Sequence, residues 1–497
     1  MKLDLSPQDA WQPLPPSQWN EDAARHLLRR VGWAAQPPEV ARLMTEGLKP
    51  GLDRLFPAKA NLLSKPRLIA NLEAATPAYA EKIRNAESRE QRQVLQREQR
   101  ERQQQALQDL SIKWLQFASR PENAATEKWT LFLSDVYVVS QEKVNHTGHV
   151  FRHHEILRQN GLGSAPALTK AVSRSPAMIR FLDLQDSKKN APNENFAREL
   201  FELFVLGEGN YTEDDIKQAA RAFTGYRLRQ DEFQFVANQH DAGSKKVFGK
   251  TGAFTGDDVI DLAYEQPAAG RFVPQEMGRF YLGEDVLSEP YLAPLGEWWK
   301  STGYDLRLLA QRFFSSRLFF HPDFRGNYIK RPTQFLLGLV QDLNINVAPY
   351  PRHSLNTLRL MGEEPFRPPN VRGWVGGRLW INSGTLNARR QLVETLFSPV
   401  NEDNLNADEQ VELVAARAQG IGTFTVTEER LEKMLKNMTP DQITDRFLDY
   451  FLPVKVSDTF RANVRSFLTG ESEESKRLAR LRNTAVTLLQ SPEYQLC

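Results

Sequence analysis

The sequence predicts a soluble, mainly α-helical protein that contains one short β-hairpin and ends in a helical bundle. Apolar residues recur three and four positions apart through most of the 497 residues, which is the pattern of helices with one buried face. Residues that favour helix starts and helix ends separate these segments. The two-residue alternation of a strand is confined to one stretch, at residues 233–256.

Three regions are predicted along the chain. Residues 1–127 carry N-terminal helices and a long charged helical arm, residues 128–400 form a helical core, and residues 401–497 form a C-terminal bundle, with a boundary near Asn401. A prior of about 150 residues per domain permits three domains, and one large helical domain is the alternative.

The first region opens with two short helices between Glu21 and Leu48, separated by Gly32 and two prolines. From about Glu81 to Ser119 the chain is dense in Glu, Gln and Arg, which predicts one long helix with ion pairs four residues apart. Its apolar positions are sparse. We therefore expect a solvated arm or a helix packed along one face, with partner binding as the alternative.

The core region is predicted to be helical over residues 128–228, where Thr212 before three acidic residues is a typical helix start. Residues 233–256 are predicted as a β-hairpin around a turn at residues 240–243. Helical spacing returns over residues 257–340.

A loop rich in Pro, Gly and Trp follows at residues 364–382, and its prolines make it stiff. Helices return after this loop. In the last hundred residues we expect three of them, opened by Thr427, by Thr439 with Pro440, and near Ser475. These three helices are the predicted bundle.

Composition excludes several classes of protein. Lys and Arg total 64 against 62 for Asp and Glu, a net charge of +2, which gives no support to nucleic-acid binding. No apolar run approaches the roughly 20 residues of a membrane span, and no signal peptide is visible, so we expect a cytoplasmic protein, with export alongside a partner as the alternative. Cys497 is the only cysteine, which excludes intrachain disulfides and thiolate-rich metal sites. Phosphate-binding Gly-rich loops and Gly-x-Ser-x-Gly motifs are also absent.

One predicted helix, residues 193–206, gathers its polar residues in a single wedge. On a helical wheel Asn195, Arg198, Glu199 and Glu202 fall within about 100 degrees, and apolar residues fill most of the remainder. If the wedge faces inward, the two carboxylates are ligands or general bases and Arg198 binds the substrate. The alternative is a solvent-facing stripe or a structural ion pair.

His240 and Asp241 lie in the predicted turn, where a carboxylate can orient the imidazole as a general base. The alternative is an Asx turn with a surface histidine.

His146, His149 and His153 are spaced i, i+3 and i+7, which places all three on one side of a helix. Such spacing can supply two ligands to a divalent metal, and a polar helix face is the alternative.

The loop at residues 364–382 holds Asn370, Trp374 and Trp380 on a backbone stiffened by prolines. Tryptophan faces on such a loop can stack on sugars or aromatic ligands, or they can fill a gap in the core.

Lys330, next to Arg331 and before Pro332, can bind an anion, although such a pair also marks an ordinary helix start.

Three segments of the chain carry a family resemblance: APNENFARELFELFVLGEGNYTEDDIKQAARAFTGYR at 191–227, HDAGSKKVFGKTG at 240–252, and PFRPPNVRGWVGGRLWINSGTLNAR at 365–389. On these segments the chain resembles the bacterial family catalogued as domain of unknown function 1800. The resemblance extends from about Arg25 to the SPEYQL string near the C-terminus. The resemblance implies a mainly helical protein and a companion similar to alkaline phosphatases. It implies no reaction.

The chain departs from that family at one string. Where relatives commonly have Trp-His-Asn-His-Phe, this sequence has Leu133, Ser134, Asp135, Val136 and Tyr137, so both histidines are missing. If the string carries an activity in relatives, this chain has lost the activity or rebuilt its site from other residues.

Three functional hypotheses follow. The first is an accessory protein that works with the alkaline-phosphatase-like companion, because the His-Asn-His string is missing. The second is a hydrolytic enzyme, with or without a divalent metal, in which Glu199, Glu202, His240 and Asp241 share one pocket. In that case Arg198, Lys330 and Trp374 stand beside the pocket. The third hypothesis is a carbohydrate-binding protein that uses the two loop tryptophans.

Overall fold

The structure is a computed structural model that describes residues 4–283, 287–347, 351–398, 405, 407–418, 424–435, 438–469 and 474–497. Within these ranges the chain forms helices α1–α25 and two small two-stranded sheets, which confirms the mainly α-helical prediction. None of the described helices has the length and apolar character that crossing a membrane requires.

The first region contains α1 (Pro7–Ala10), α2 (Glu21–Val31), α3 (Pro37–Glu46), α4 (Leu48–Leu55), α5 (Arg67–Arg84) and α6 (Arg89–Ala118). The central region begins with α7 (Pro121–Val136), α8 (Gln141–Val144), α9 (Thr147–Asn160), α10 (Ala165–Ser173), α11 (Pro176–Phe181), α12 (Asn195–Glu199) and α13 (Glu213–Ala222). It continues with α14 (Gly256–Glu265), α15 (Ala269–Tyr281), α16 (Glu289–Ser301), α17 (Leu306–Ser315), α18 (Pro332–Asp342), α19 (Pro351–Leu360) and α20 (Ser383–Leu396). The last region contains α21 (Ala407–Ala418), α22 (Glu428–Leu435), α23 (Pro440–Phe451), α24 (Asp458–Thr469) and α25 (Glu474–Gln490).

The charged arm differs from its prediction at its N-terminal end. The expected single helix from Glu81 is interrupted, because α5 ends at Arg84 and Ser88 starts α6 by accepting a hydrogen bond from the Gln91 amide at 3.0 Å. The two helices pack against each other. The second half of α6 is buried, whereas Val94 in the first half is 56% exposed, so the arm is solvated over only part of its length.

Strands occur in the predicted stretch 233–256, but the pairing was predicted wrongly, and β1 lies before that stretch in residues predicted as helical. Two hairpins form instead of one: β1 (Tyr226–Arg229) pairs with β2 (Glu232–Phe235), and β3 (Lys245–Val247) pairs with β4 (Lys250–Gly252). Their connections are two-residue turns in which both residues have left-handed φ, 50° and 62° in the first and 47° and 78° in the second. Such turns match the twist of adjacent strands. The first turn, Gln-Asp, lacks the Asn-Gly signature that would have revealed it.

The polar wedge at residues 193–206 does not belong to a regular helix as the wheel assumed. After the short helix α12, residues Leu200–Val205 form a π-helical turn, in which the Leu206 amide donates to the Phe201 carbonyl at 3.0 Å. A π turn is wider than an α turn, so the angle between Glu199 and Glu202 differs from the one that the wheel assumed. Turns of this kind are frequent at functional sites.

The C-terminal region has five helices in its described part. The three predicted ones are present as α22, α23 and α25, and α21 and α24 were missed. The boundary proposed near Asn401 lies outside the described residues. Buried apolar residues from Ala10 to Tyr494 form one connected cluster. The division into three regions stays a prediction.

The Pro, Gly and Trp loop approaches the C-terminal end of α7. Gly373 has a φ of +73°, and a Cβ on it would lie 3.3 Å from a Val138 methyl and 3.4 Å from the Asp135 carbonyl oxygen. A side chain would therefore be strained in conformation and crowded in space. This contact places the loop between α7 and α12, where the candidate site lies.

Candidate functional site

Four of the residues singled out in the sequence meet in one cleft of about 600 Å³. Asn195 and Glu199 reach it from α12, and Asn370 and Trp374 reach it from the loop. We call this space the Glu199 cleft. Its other walls come from residues beside α8, α11 and α19, namely Ser140, Glu142, Lys143, Phe181, Leu182, Arg359, Gly362, Glu364, Arg367, Pro368, Pro369 and Val371.

Glu199 is the acidic group of this cleft without a partner. Its side chain is half-buried and makes no hydrogen bond or ion pair with any described residue. Burial raises the pKa of the Glu199 carboxyl, and the nearby Glu202 carboxylate raises it further. A carboxyl group in this state can donate a hydrogen bond or a proton to a ligand.

Glu202 and Arg198 have structural partners outside the cleft. The Tyr211 hydroxyl donates to Glu202 Oε2 at 2.9 Å, and Arg372 pairs with Glu202 Oε1 at 2.8 Å, which ties the loop to the π-helical turn. Arg198 forms a two-bond ion pair with Glu213, with both distances 2.8 Å. The alternative of structural ion pairs therefore describes both residues.

Sequence reasoning missed several polar groups of the Glu199 cleft. Ser140 Oγ is buried without a hydrogen-bond partner, and Arg367 lines the opposite wall, paired with Glu142 and Glu364 at 3.3 Å. Lys143 pairs with Asp183 at 2.8 Å. These residues are scattered in ordinary helix starts and loops, so no local pattern marks them.

The loop residues have distinct roles. Asn370 lines the cleft, and its Oδ1 accepts the Arg372 amide at 2.8 Å, which forms an Asx turn. Trp374 is partly exposed, and its ring lies 6.2 Å from that of Trp380. Trp380 is only 4% exposed, so it supports Trp374 from the interior.

A second cleft of about 680 Å³ lies on the other side of Trp374 and is lined by Asp135, Arg331 and Trp380 among others. Arg331 is buried and donates to Asp135 at 2.8 Å and to Glu363 at 2.8 Å. Burial raises the pKa of Asp135 to about 6, although the neighbouring Arg331 guanidinium acts to lower it. Asp135 is thus engaged in an ion network.

Lys330 was a candidate anion ligand, and the structure places it in the interior. It is 3% exposed, and its ammonium nitrogen lies 3.5 Å from the centre of the Tyr494 ring. Burial lowers the pKa of Lys330 to about 8. No cleft that we describe is lined by it.

His240 and Asp241 lie in the loop before β3 and line none of these clefts. His240 Nδ1 contacts the Thr224 carbonyl at 3.0 Å. Asp241 accepts from Arg221 at 2.7 Å and from the Gly243 amide at 2.8 Å. Asp241 thus forms the Asx turn of the alternative interpretation, and its pKa is lowered by Arg221.

The histidine triplet on α9 divides into two environments. His153 is buried and bonded on both ring nitrogens, to Ser175 at 3.1 Å and to the Tyr137 carbonyl at 2.8 Å. His146 and His149 instead stack with ring centres 3.7 Å apart and face Asp231 from the β1–β2 turn. Burial lowers the pKa of His146 to about 3 and also lowers that of His149.

Comparison with known proteins gives one match. The profile of the family described as a protein of unknown function (DUF1800) covers residues 26–496, which is nearly the whole chain. No curated protein and no solved structure matches the chain. The comparison agrees with the resemblance seen in the three motif segments, two of which supply Asn195, Glu199, Asn370 and Trp374 to the cleft. The chain belongs to the DUF1800 family.

Proposed function

We propose that the protein binds a polar, uncharged small molecule of the carbohydrate class in the Glu199 cleft. The observation that carries this proposal is that the unpaired, half-buried Glu199 carboxyl and a partly exposed tryptophan line the same cleft of about 600 Å³. Binding sites for small molecules are concave and combine apolar walls with a few polar groups that fix the ligand.

The lining matches the surface of a sugar. The flat face of Trp374 can cover the C–H face of a pyranose ring, and Asn195, Asn370 and Ser140 Oγ can exchange hydrogen bonds with hydroxyl groups. The lining contains both cationic and anionic side chains, and the cations Lys143 and Arg367 are paired with carboxylates. A neutral ligand therefore suits the cleft better than a charged one.

The test is a titration with glucose, galactose, N-acetylglucosamine and their β-linked disaccharides, followed by saturation-transfer NMR and calorimetry. We expect saturable binding by one of these sugars, weakened by about tenfold or more in Trp374→Ala and in Glu199→Gln. Trp298→Ala and Glu194→Gln are matched controls, because Trp298 lies outside the clefts and Glu194 pairs with Arg198. Absence of binding to every sugar, or equal loss in the controls, would reject the proposal.

A second candidate function is that of an accessory protein to an alkaline-phosphatase-like companion. The loop that closes the Glu199 cleft exposes two large apolar side chains, Val375 at 57% and Leu379 at 65%. Exposed apolar groups on a stiff loop are typical of a contact surface. Co-expression with the neighbouring companion gene is expected to give a complex that survives gel filtration. Leu379→Asp should then release the companion and leave sugar binding unchanged.

A third candidate is hydrolysis of the bound sugar. Glu364 lines the same cleft as Glu199 and pairs with Arg367 at 3.3 Å. A carboxyl with a raised pKa and an ion-paired carboxylate are the two groups that glycoside hydrolysis uses. This pair takes the place of His240 and Asp241 in the hydrolytic hypothesis. Release of nitrophenol from aryl glycosides, abolished in both Glu199→Gln and Glu364→Gln, would support the reaction, and no release would exclude it for those substrates.

A further inference from the structure

We infer that His146, His149 and Asp231 form a binding site for one divalent transition-metal ion. The ligand atoms of the three side chains all lie within 4.8 Å of one another. Asp231 Oδ1 is 3.2 Å from His149 Nε2, and Asp231 Oδ2 is 3.8 Å from His146 Nε2. The site lies on α9 and the β1–β2 turn and is separate from the Glu199 cleft.

These separations fit a metal coordination sphere. Bonds of about 2.0–2.2 Å from a metal to imidazole nitrogen and carboxylate oxygen, at tetrahedral or octahedral angles, place neighbouring ligand atoms about 3 to 4 Å apart. The two rings stack at an angle of 20°, and the lone pair of each Nε2 lies in its ring plane, so the rings turn out of this stack when both Nε2 atoms bind one ion.

The fold positions each ligand by local structure. His146 is the N-cap of α9, and His149 follows at the end of the first turn. Asp231 is the second residue of the β1–β2 turn, where it and Gln230 both have left-handed φ. Aspartate is one of the few residues that adopt this conformation readily, so the turn can project a carboxylate toward the helix.

The imidazole nitrogens have few protein partners. His149 is completely buried; its Nδ1 makes no hydrogen bond in the described structure, and its Nε2 has the Asp231 carboxylate at 3.2 Å. His146 Nε2 is also buried and without a hydrogen bond. Buried polar atoms are nearly always bonded, so two buried Nε2 atoms that share one carboxylate, one of them without a hydrogen bond, point to an additional ligand between them.

The charges around the site select the kind of metal. Arg180 lies 3.0 Å from Asp231 Oδ1 and already offsets its negative charge. Hard cations such as Mg²⁺ and Ca²⁺, which are held by several oxygen atoms, would bind poorly here. Zn²⁺ and Co²⁺, which bind imidazole well, are the expected ions.

The remaining coordination positions face a cleft of about 330 Å³ that His146 and Asp231 help to line. Water or an exchangeable ligand can therefore reach the metal, as in metal sites with three protein ligands.

Metal binding also changes the start of helix α9. The His146 Nδ1 atom now accepts the His149 amide at 3.2 Å, and coordination through Nε2 moves the ring proton to Nδ1, which ends that bond.

The experiment uses full-length protein without a histidine tag, freed of metal by chelation and titrated with Co²⁺ and Zn²⁺. Absorption in the visible region reports Co²⁺ coordination, and calorimetry reports affinity. We expect one ion per chain, at least about tenfold weaker binding in His146→Asn and Asp231→Asn, and no response to Mg²⁺. Asparagine preserves the helix cap at position 146, so this variant removes the ligand without removing the helix start.

Two control variants match the site variants. His153→Gln removes a buried histidine from the same helix, and Asp183→Asn removes an ion-paired aspartate that also has a left-handed φ. Both should bind Co²⁺ like the wild type. Circular dichroism establishes that each variant is folded, and if His153→Gln is not, Asp183→Asn serves as the control. No Co²⁺ binding by the wild type, or unchanged binding in folded His146→Asn and Asp231→Asn, would overturn the inference.

Discussion

At position 199 the chain holds an ionisable side chain half-buried beside a second carboxylate. Arg372 and Tyr211 bind Glu202, and Glu199 receives no such partner among the described residues. An arrangement of this kind lowers stability when the carboxyl is ionised, because both burial and Glu202 oppose the charge. The contrast between two carboxylates three residues apart is the strongest residue-level sign of a binding role.

The Glu199 carboxyl should make the free energy of unfolding depend on pH. Its pKa is higher in the folded chain than in the unfolded chain, so the folded state holds the proton longer as the pH rises. The free energy of unfolding therefore decreases as the pH rises from the ordinary glutamate pKa to the raised folded value. Above that window the ionisation of Glu199 changes it no further. Glu199→Gln, which cannot ionise, is expected to raise the melting temperature by about 1 °C at pH 7 and to leave it unchanged at pH 4.

Thermal unfolding followed by circular dichroism at both pH values measures this effect. Glu194→Gln, at the start of the same helix, is the control, and it should lower stability slightly or not at all because its ion pair with Arg198 is partly exposed. A lower melting temperature for Glu199→Gln at pH 7 would mean that the ionised carboxylate is stabilised by a contact we do not see.

At the scale of elements, helix starts with a strong capping signature were predictable and strand pairing was not. Thr212 with its acidic first turn marks α13 in the sequence, and the structure has the full capping box there. Capping depends on residues within four positions of each other. The β1–β2 pairing depends on a Gln-Asp turn with two left-handed residues, and the π-helical turn at Leu200–Val205 depends on tertiary packing, so neither leaves a local signature.

Removal of the α13 cap should lower stability by about 1 kcal/mol. Thr212 Oγ1 accepts the Asp215 amide at 3.1 Å, and Asp215 in turn accepts the Thr212 amide at 3.0 Å. Thr212→Ala removes the first bond, whereas Thr212→Ser keeps it. Denaturant unfolding of both variants measures the difference, and equal stability of the two would show that the cap contributes nothing.

At the scale of the whole molecule, the sequence identified several site residues but not how they assemble. Asn195, Glu199, Asn370 and Trp374 were each singled out locally, and only the fold brings the two pairs to one cleft. Asp231, by contrast, was not noticed, because it is far from His146 in sequence and reaches it through an unpredicted turn. Contacts between distant segments are what a single sequence does not contain.

The last prediction concerns whether the C-terminal bundle unfolds separately. The Tyr494 hydroxyl donates to Asp342 Oδ2 at 2.8 Å, and the ring packs against Phe335 and beneath Lys330, all in the central region. Tyr494→Ala leaves a cavity and removes a bond from a buried carboxylate, so we expect it to lower stability by about 3–5 kcal/mol, and Tyr494→Phe by about 1–2 kcal/mol.

These variants separate two descriptions of the molecule. If the connected core couples the bundle to the central region, urea unfolding gives one transition that moves as a whole in Tyr494→Ala, with circular dichroism and tryptophan fluorescence coinciding. If residues 401–497 fold as a separate unit, two transitions appear, and the substitution splits them further. The described contacts favour one transition, because Tyr494 and Leu496 both bond to the central region, Leu496 through a β-bridge with Ile329.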